Sequence, residues 1–300
     1  MRILVAGASG FVGRRLSPVL EESGHEVVAL TRTPQEYVGA GVATYGDVHR
    51  ASSLPAALEG CKAAYYLVHS LDSPDFERLD ATAARDFGLA AADAGVGRIV
   101  YLGGLGAESE GLSAHLRSRR EVEGLLGAGG VPVTTLRAGV IVGAGGSSWE
   151  LMRQLVARLP AMVTPRWVNT RAQPIGLADV VRYLVGVLDE RTDESRTYEI
   201  GGPEVLDYLT MLRRIAELER RRQPVVVPVP LLSPRLSSLW LALVTDVDVR
   251  TGRNLVDSMV NEVVVEDDSI RAVVPFEPKD FRAAALDALP TARGEPGDYE

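Results

Sequence analysis

Short apolar runs alternate with amphipathic stretches through the first two hundred residues of the chain. Strand-like runs stand at "RILVA" (2–6), "EVVAL" (26–30), "VATY" (42–45), "AAYYLV" (63–68), "RIVYL" (98–102) and "PVTTL" (132–136), and helical patterns begin near Phe11, Ser52, Asp75, Ser113 and Ser147. Near-continuous apolar strands separated by amphipathic helices predict an α/β fold with a parallel sheet covered on both faces. "QPIGLADVVRYLVGVL" (173–188) and "TYEIGG" (197–202) predict one more helix and one more short strand. After Gly202 the strands stop recurring and "RRRQPVVVPVPLLSPRL" (220–236) is rich in proline, which predicts a smaller, mainly helical C-terminal lobe. The resulting division is a sheet core at 1–145 and 172–202, a lobe at 146–171 and 203–290, and a frayed tail at 291–300.

Composition narrows the function classes. A net charge of −8 over 300 residues argues against a nucleic-acid partner held by a basic surface. Cys61 is the single cysteine, so neither an intramolecular disulfide nor a cysteine-rich metal site is expected. The four histidines, His25, His49, His69 and His115, lack metal-ligand spacing. The chain enters its first strand at once, and "LSSLWLALV" (236–244) is too short to span a bilayer. The expectation is a cytoplasmic protein with no membrane span. Its expected partner is a small-molecule substrate or effector; a homo-oligomer or a regulatory protein partner is left open.

The densest chemical signal is "ILVAGASGFVGRRL", with Gly7, Gly10 and Gly13 between the first strand and the first helix. The first glycine permits a tight turn, the second lets backbone approach a diphosphate, and the third allows close helix–strand packing. The helix start, with Ser9, Phe11 and Val12 beside the glycines, offers free amides and a positive dipole end to phosphates. A dinucleotide site is expected here. The second strand ends in "ALTRTP" without an acid that would accept from the ribose hydroxyls of NAD(H). Arg32 instead suits a ribose 2′-phosphate, favouring NADP(H) over NAD(H), the alternative being a solvated loop arginine. Asp47, followed by Val48, stands where a carboxylate can accept from an adenine amino group. Val68 and His69 follow the fourth strand on the carboxyl edge, although the His69 side chain could instead cap a loop carbonyl.

"GASGFVG", "GDV", "YYLVHS" and "LRAGVIVG" together resemble the short-chain dehydrogenase/reductase superfamily, in its atypical and extended branches of NmrA-like and epimerase-like NAD(P)-binding proteins. The similarity covers roughly residues 1–202. It implies a Rossmann-type doubly wound sheet with the nicotinamide over the carboxyl ends of the fourth to sixth strands, near Gly103, Ala138, Gly139 and Val140. It also implies a Tyr-x-x-x-Lys pair on the helix after the fifth strand, where tyrosine exchanges the proton and lysine lowers its pKa. Here the only lysines are Lys62 and Lys279, four residues after Leu58 and Pro275, so that pair does not exist in the chain. His115 and Arg119 take the two positions, and Gly103 and Gly104 stand where a serine is expected.

An imidazole can exchange a proton near neutral pH, whereas a guanidinium can only bind and stabilise charge. Arg119 would also keep His115 neutral unless a carboxylate or the substrate offsets it. The competing reading is that both residues merely bond loop carbonyls and phosphates. Arg137 reads as structural, and Gly143, Gly145 and Gly146 as a flexible connection to Trp149. The segment 159–180, with Arg166, Trp167, Arg171 and Gln173, could roof a pocket for an anionic or aromatic compound or simply pack on the surface. "RRRQ" (220–223) reads as a helix C-terminal cap. The expected function is an NADP(H)-dependent oxidoreductase acting on a quinone, enone or other small acceptor with non-standard proton donation. The alternatives are a non-catalytic NADP(H) redox-sensing regulator and, with less support, an isomerase or dehydratase with retained cofactor.

Overall fold

The computed structural model describes residues 1–106, 111–159, 161–164, 166–190, 192–228 and 249–289. The apolar stretch 236–244, residues 229–236 of the proline-rich run and the tail 291–300 lie outside the described residues. Six parallel strands, β1 (Arg2–Ala6), β2 (Glu26–Thr31), β3 (Val42–Tyr45), β4 (Ala63–Tyr66), β5 (Arg98–Gly104) and β6 (Val133–Ala138), are joined by a seventh, Arg196–Ile200. The spatial order is Arg196–Ile200, β6, β5, β4, β1, β2, β3. The chain therefore winds one way from β1 to β3 and returns to the other side of β1 as β4, which opens a crevice at the carboxyl ends of β1 and β4. This is the doubly wound parallel sheet expected from the alternation.

Period-2 alternation along β1 sorts its side chains between two cores. Ile3 and Val5 meet Leu16 and Leu20 of α1 (Gly13–Glu22) and Val180 and Leu184 of α6 (Leu177–Gly186). Leu4 and Ala6 face the opposite layer, where α2 (Leu54–Leu58), α3 (Phe76–Asp93) and α4 (Ala114–Leu126) supply Leu54, Phe87 and Val122. A third core gathers Trp149 of α5 (Ser147–Arg158), Trp167, Tyr208 and Met211 of α7 (Tyr208–Leu218), Val256 and Phe281. The last two residues belong to the helices Val249–Ser258 and Phe281–Ala288.

Several boundaries move. The first helix begins at Gly13 rather than Phe11, β4 stops at Tyr66, and β5 runs on to Gly104. The segment 159–180 is no plain loop: Ala161–Thr164 pairs with Val225–Pro228, Arg171–Ala172 with Leu206–Asp207, and Ile175–Gly176 with Ile141–Val142. Trp167 is buried edge-on against Tyr208, centroids 5.8 Å apart, and Arg171 is paired with Glu262 at 2.9 Å. Gln173 spans from the Gly202 carbonyl to the Val265 amide. Those three side chains pack and brace. Gly143 and Gly146 are likewise no free connection, because a Cβ on either would strike the Phe11 ring at 3.0 or 2.7 Å. The run after α7 does close that helix: Arg220 adopts φ +52°, Arg221 donates its amide to the Ala216 carbonyl at 2.8 Å, and its guanidinium pairs with Glu219.

Candidate cofactor cleft and active-site helix

The glycine loop is built as its spacing requires. Gly7 has φ +92°, and a Cβ there would meet the Leu67 carbonyl oxygen at 3.0 Å. That approach is set by the β1–β4 ladder, which continues as the Leu67 amide bonds the Ala6 carbonyl at 2.9 Å. At Gly13 a Cβ would lie 2.1 Å from the Gly7 oxygen and 2.7 Å from the Ala8 Cα, so only hydrogen lets α1 start this close to β1. Gly10 is exposed, and a methyl there would meet only the Gly7 oxygen, at 3.1 Å. Val12, the residue before the helix, is buried and has no side-chain cap bond. Among the described residues no carbonyl accepts from the Phe11 or Val12 amides. Ser9 is exposed beside them. Free amides, a helix dipole and room beside Gly10 fit the diphosphate of a dinucleotide.

The adjoining residues occupy the same carboxyl edge. Arg32 follows β2, is exposed, and makes no ion pair among the described residues. Asp47 follows β3; its Oδ1 accepts from the His49 amide at 3.0 Å, while its own amide donates to Ser53 Oγ at 2.9 Å. One carboxylate oxygen thus fixes the turn and the other is left for a ligand. The Val48 side chain is buried in the α2–α3 core, so toward a ligand it can offer backbone. Val68 is half-buried. His69 opens to solvent in a cleft walled by protein, and among the described residues its ring makes no hydrogen bond, so it caps no carbonyl. Gly103 and Ala138 end neighbouring strands, and the ladder extends as the Leu105 amide donates to the Ala138 carbonyl at 2.8 Å. Gly139 lies under Val263, whose Cγ2 would stand 3.1 Å from a Cβ, and Val140 is buried, its carbonyl accepting from the Ile175 amide.

Helix α4 is held against this edge from several sides. Ser113 caps it by accepting from the Leu116 amide, and Asn261 in turn receives the Ser113 amide at 3.1 Å. Gly88 of α3 lets the two helices touch, because a Cβ there would lie 2.3 Å from the Leu126 carbonyl. Tyr101 donates to the Arg119 carbonyl at 3.2 Å. At Gly104 a Cβ would meet the Leu116 Cδ2 at 2.9 Å and the Arg119 Cγ at 3.5 Å, so a serine there would press on these two side chains of the helix. The helix Val249–Ser258 spans the mouth: Asn254 and Arg250 donate to the Leu71 and Asp72 carbonyls of the loop after β4.

On this helix Arg119 Nε donates to His115 Nε2 at 3.4 Å, while His115 Nδ1 is buried without a partner among the described residues. A nitrogen that accepts carries no proton, so the neutral imidazole holds its proton on Nδ1. Burial, then the charge of Arg119 and the neighbouring His69, push the His115 pKa down to about 3. His69 moves the same way, through desolvation by the cleft walls and then Arg119. Arg137, by contrast, is held two-pronged by Glu123 at 3.0 and 3.1 Å and acts as a brace.

One participant belongs to none of the sequence motifs. Asp80 of α3 is buried, its Oδ1 has no hydrogen-bond partner among the described residues, and burial raises its pKa while Ser70, Arg119 and His49 oppose the rise. It is the carboxylate that faces Arg119 from the next helix. Its signal was available: Phe76, Asp80, Ala83, Phe87 and Ala91 form one buried stripe, and a lone acid on such a stripe calls for a partner. Among the described residues no group of three or more metal-ligating side chains occurs, and no helix is long and apolar enough to cross a membrane.

The family of NAD(P)H-binding proteins matches residues 7–164. The chain belongs to this family, a class defined by the fold and glycine cradle just described, and the resemblance to atypical short-chain dehydrogenases/reductases holds. Among curated relatives, the uncharacterized protein Rv2047c of Mycobacterium tuberculosis is 29% identical over 230 residues, 76% of this chain and 24% of that protein. The chain thus spans about a quarter of the length of the curated relatives it matches. Among solved structures, a triphenylmethane reductase of Citrobacter sp. complexed with NADP(H) superposes with TM-score 0.76 at 20% identity, covering 96% of this chain and 100% of that one. An NADPH-dependent quinone oxidoreductase of Escherichia coli complexed with NADPH gives 0.74 at 18% identity, covering 95% and 99%. A nucleoside-diphosphate-sugar epimerase of Staphylococcus aureus gives 0.75 at 14% identity, covering 95% and 100%. These likenesses establish the fold.

Proposed function

We propose that the protein is an NADPH-dependent reductase of quinones, enones or similar conjugated acceptors. In this reading the Gly7–Gly13 loop holds the diphosphate, Arg32 the 2′-phosphate, and Asp47 the adenine amino group, while Gly103 and Ala138–Val140 line the nicotinamide end. The bound cofactor supplies a hydride. The acceptor carbonyl takes a hydrogen bond from His115 Nδ1, and Arg119 stabilises the negative charge that develops on its oxygen. The carrying observation is the hydrogen bond from Arg119 to His115 Nε2, which assigns the proton to the buried Nδ1, a donor with no acceptor among the described residues.

A histidine whose pKa lies near 3 donates a hydrogen bond at neutral pH but is not a ready acid. The reduced acceptor must therefore tolerate leaving as an anion, or take its proton from water, as a hydroquinone or enol does and a simple alcohol does not. The Escherichia coli quinone oxidoreductase supports a reductase of such acceptors, and the Citrobacter triphenylmethane reductase supports a reductase on this fold. The missing Tyr-x-x-x-Lys pair favours a second reading, a regulatory protein that senses NADP(H) redox state. Fluorescence titration of NADPH and NADH, followed by NADPH loss with a panel of quinones, enones and aldehydes, separates the two. Turnover with conjugated acceptors, lowered by His115→Phe with nucleotide affinity spared, supports the reductase; tight NADPH binding without turnover on any acceptor establishes the sensor.

A further inference from the structure

A second concavity lies away from the carboxyl-edge cleft, between α1, α6 and the helix Phe281–Ala288, with a volume of about 780 Å³. That falls within the range typical of small-molecule sites, ~300–1,000 Å³. Its walls are apolar: Pro18 and Val19 from α1, Val181 and Val185 from α6, and Ala284 and Ala288 from the last described helix. The rim is charged. Lys279 and Asp287 pair with each other there at 2.6 Å, and Glu22 adds an acid. Arg14 and Arg182 are exposed on the same rim, and no carboxylate among the described residues forms a salt bridge with either. The Arg182 guanidinium lies over the Phe276 ring, 4.2 Å from its centroid, which orients it without neutralising it.

An apolar trough of ligand size with two exposed guanidiniums at its lip, neither in a salt bridge among the described residues, is complementary to a molecule with a hydrocarbon body and an anionic head. We propose that this groove binds an amphiphilic carboxylate of the fatty-acid class, chain against α1 and α6, carboxylate toward Arg182 and Arg14. The groove runs along α1 from Arg14, the residue after Gly13, to Glu22, and none of residues 7–13 lines it.

Isothermal titration of the intact protein with laurate below its micellar concentration tests the proposal, beside dodecanol of the same chain length and dodecyl phosphate. Saturable laurate binding with one site per chain is expected, with dodecanol at least tenfold weaker because a neutral head forfeits the charge-assisted contact. Dodecyl phosphate distinguishes head groups; binding at least as tight as laurate also supports an anion-headed site. Ala178→Trp, placed on an exposed helix position that lines the groove, is expected to abolish uptake, and Arg182→Gln to weaken it about tenfold, both with unchanged melting temperature. Equal affinity for laurate and dodecanol would overturn the proposal, as would laurate binding untouched by Ala178→Trp. No laurate uptake until residues 290–300 are removed would assign the groove to the chain's own end instead. No uptake together with a homodimer dispersed by Ala178→Trp would assign it to a second copy.

Discussion

Replacing Gly13 by alanine attacks the phosphate cradle at its tightest point. The new methyl would sit 2.1 Å from the Gly7 oxygen, about 1.3 Å inside ordinary van der Waals contact, and 2.7 Å from the Ala8 Cα. Both obstacles are backbone held by β1, so α1 must retreat. Overpacking of this kind costs ~1–3 kcal/mol, which lowers the melting temperature by several degrees in a chain of this size. The retreat also carries the helix-start amides away from the diphosphate by about 1 Å, past the ~3.5 Å limit of a hydrogen bond. Two charge-assisted bonds at ~1.5–3 kcal/mol each correspond to at least ~100-fold in NADPH affinity. Gly10→Ala supplies the contrast. Its methyl meets only one atom, at 3.1 Å, from an exposed position, so stability holds within ~0.5 kcal/mol. The methyl still projects where the diphosphate must come near, and affinity is expected to fall at least tenfold. Fluorescence titration and thermal melting read the two quantities separately. A Gly10→Ala protein that binds NADPH like its parent would remove the diphosphate from this loop, and a Gly13→Ala protein with unchanged melting would refute the packing argument.

Arg32→Glu is expected to weaken NADPH at least tenfold while sparing NADH, measured by the same titration; equal losses for both nucleotides would release Arg32 from the 2′-phosphate role. His115 contributes a pH-dependent stability whose sign follows from its lowered pKa: the unfolded chain takes up the proton near pH 6.5, the folded one only near 3. Stability is full above about pH 6.5 and declines by up to ~1.4 kcal/mol per unit as pH falls toward 3, so His115→Gln should flatten that limb of a melting-temperature profile. Arg220→Gly should stabilise by ~0.5–1 kcal/mol in chemical denaturation, because a non-glycine residue at φ +52° closes α7.

What could be read from the chain before any coordinates divides along a physical line. The sheet, its order of crossing helices and the cradle were legible because they are written in local terms: apolar runs of strand length, a glycine triplet between strand and helix, a serine cap at Ser113. Phe11 and Val12 show the limit. The first helix was expected two residues early, since a dipole and free amides do not reveal that the turn continues to Gly13. The segment 159–180 misled for a different reason. Its Trp167, Arg171 and Gln173 have partners at Tyr208, Glu262 and Gly202, which no local pattern connects. Asp80 lies between these cases: its burial was readable from the α3 stripe, whereas its facing Arg119 depended on Gly88 letting α4 come close.

In the proposed reading, the exchange of tyrosine and lysine for His115 and Arg119 changes where charge resides during the reaction. A lysine beside a tyrosine lowers the tyrosine pKa and so prepares a group that parts with its proton. An arginine beside a histidine lowers the histidine pKa too, but for a base this means refusing the proton rather than giving one. The same electrostatic direction thus turns a proton donor into a fixed hydrogen-bond donor. Asp80 does not reverse this, since it faces Arg119 while the His115 pKa stays low through burial and that same arginine. With its pKa pushed down to about 3, the imidazole is neutral at pH 7, and the proposed site favours an electron-rich oxygen near Nδ1 over a proton in transit. A substrate whose reduced form is content as an anion meets that demand, and an unactivated ketone does not.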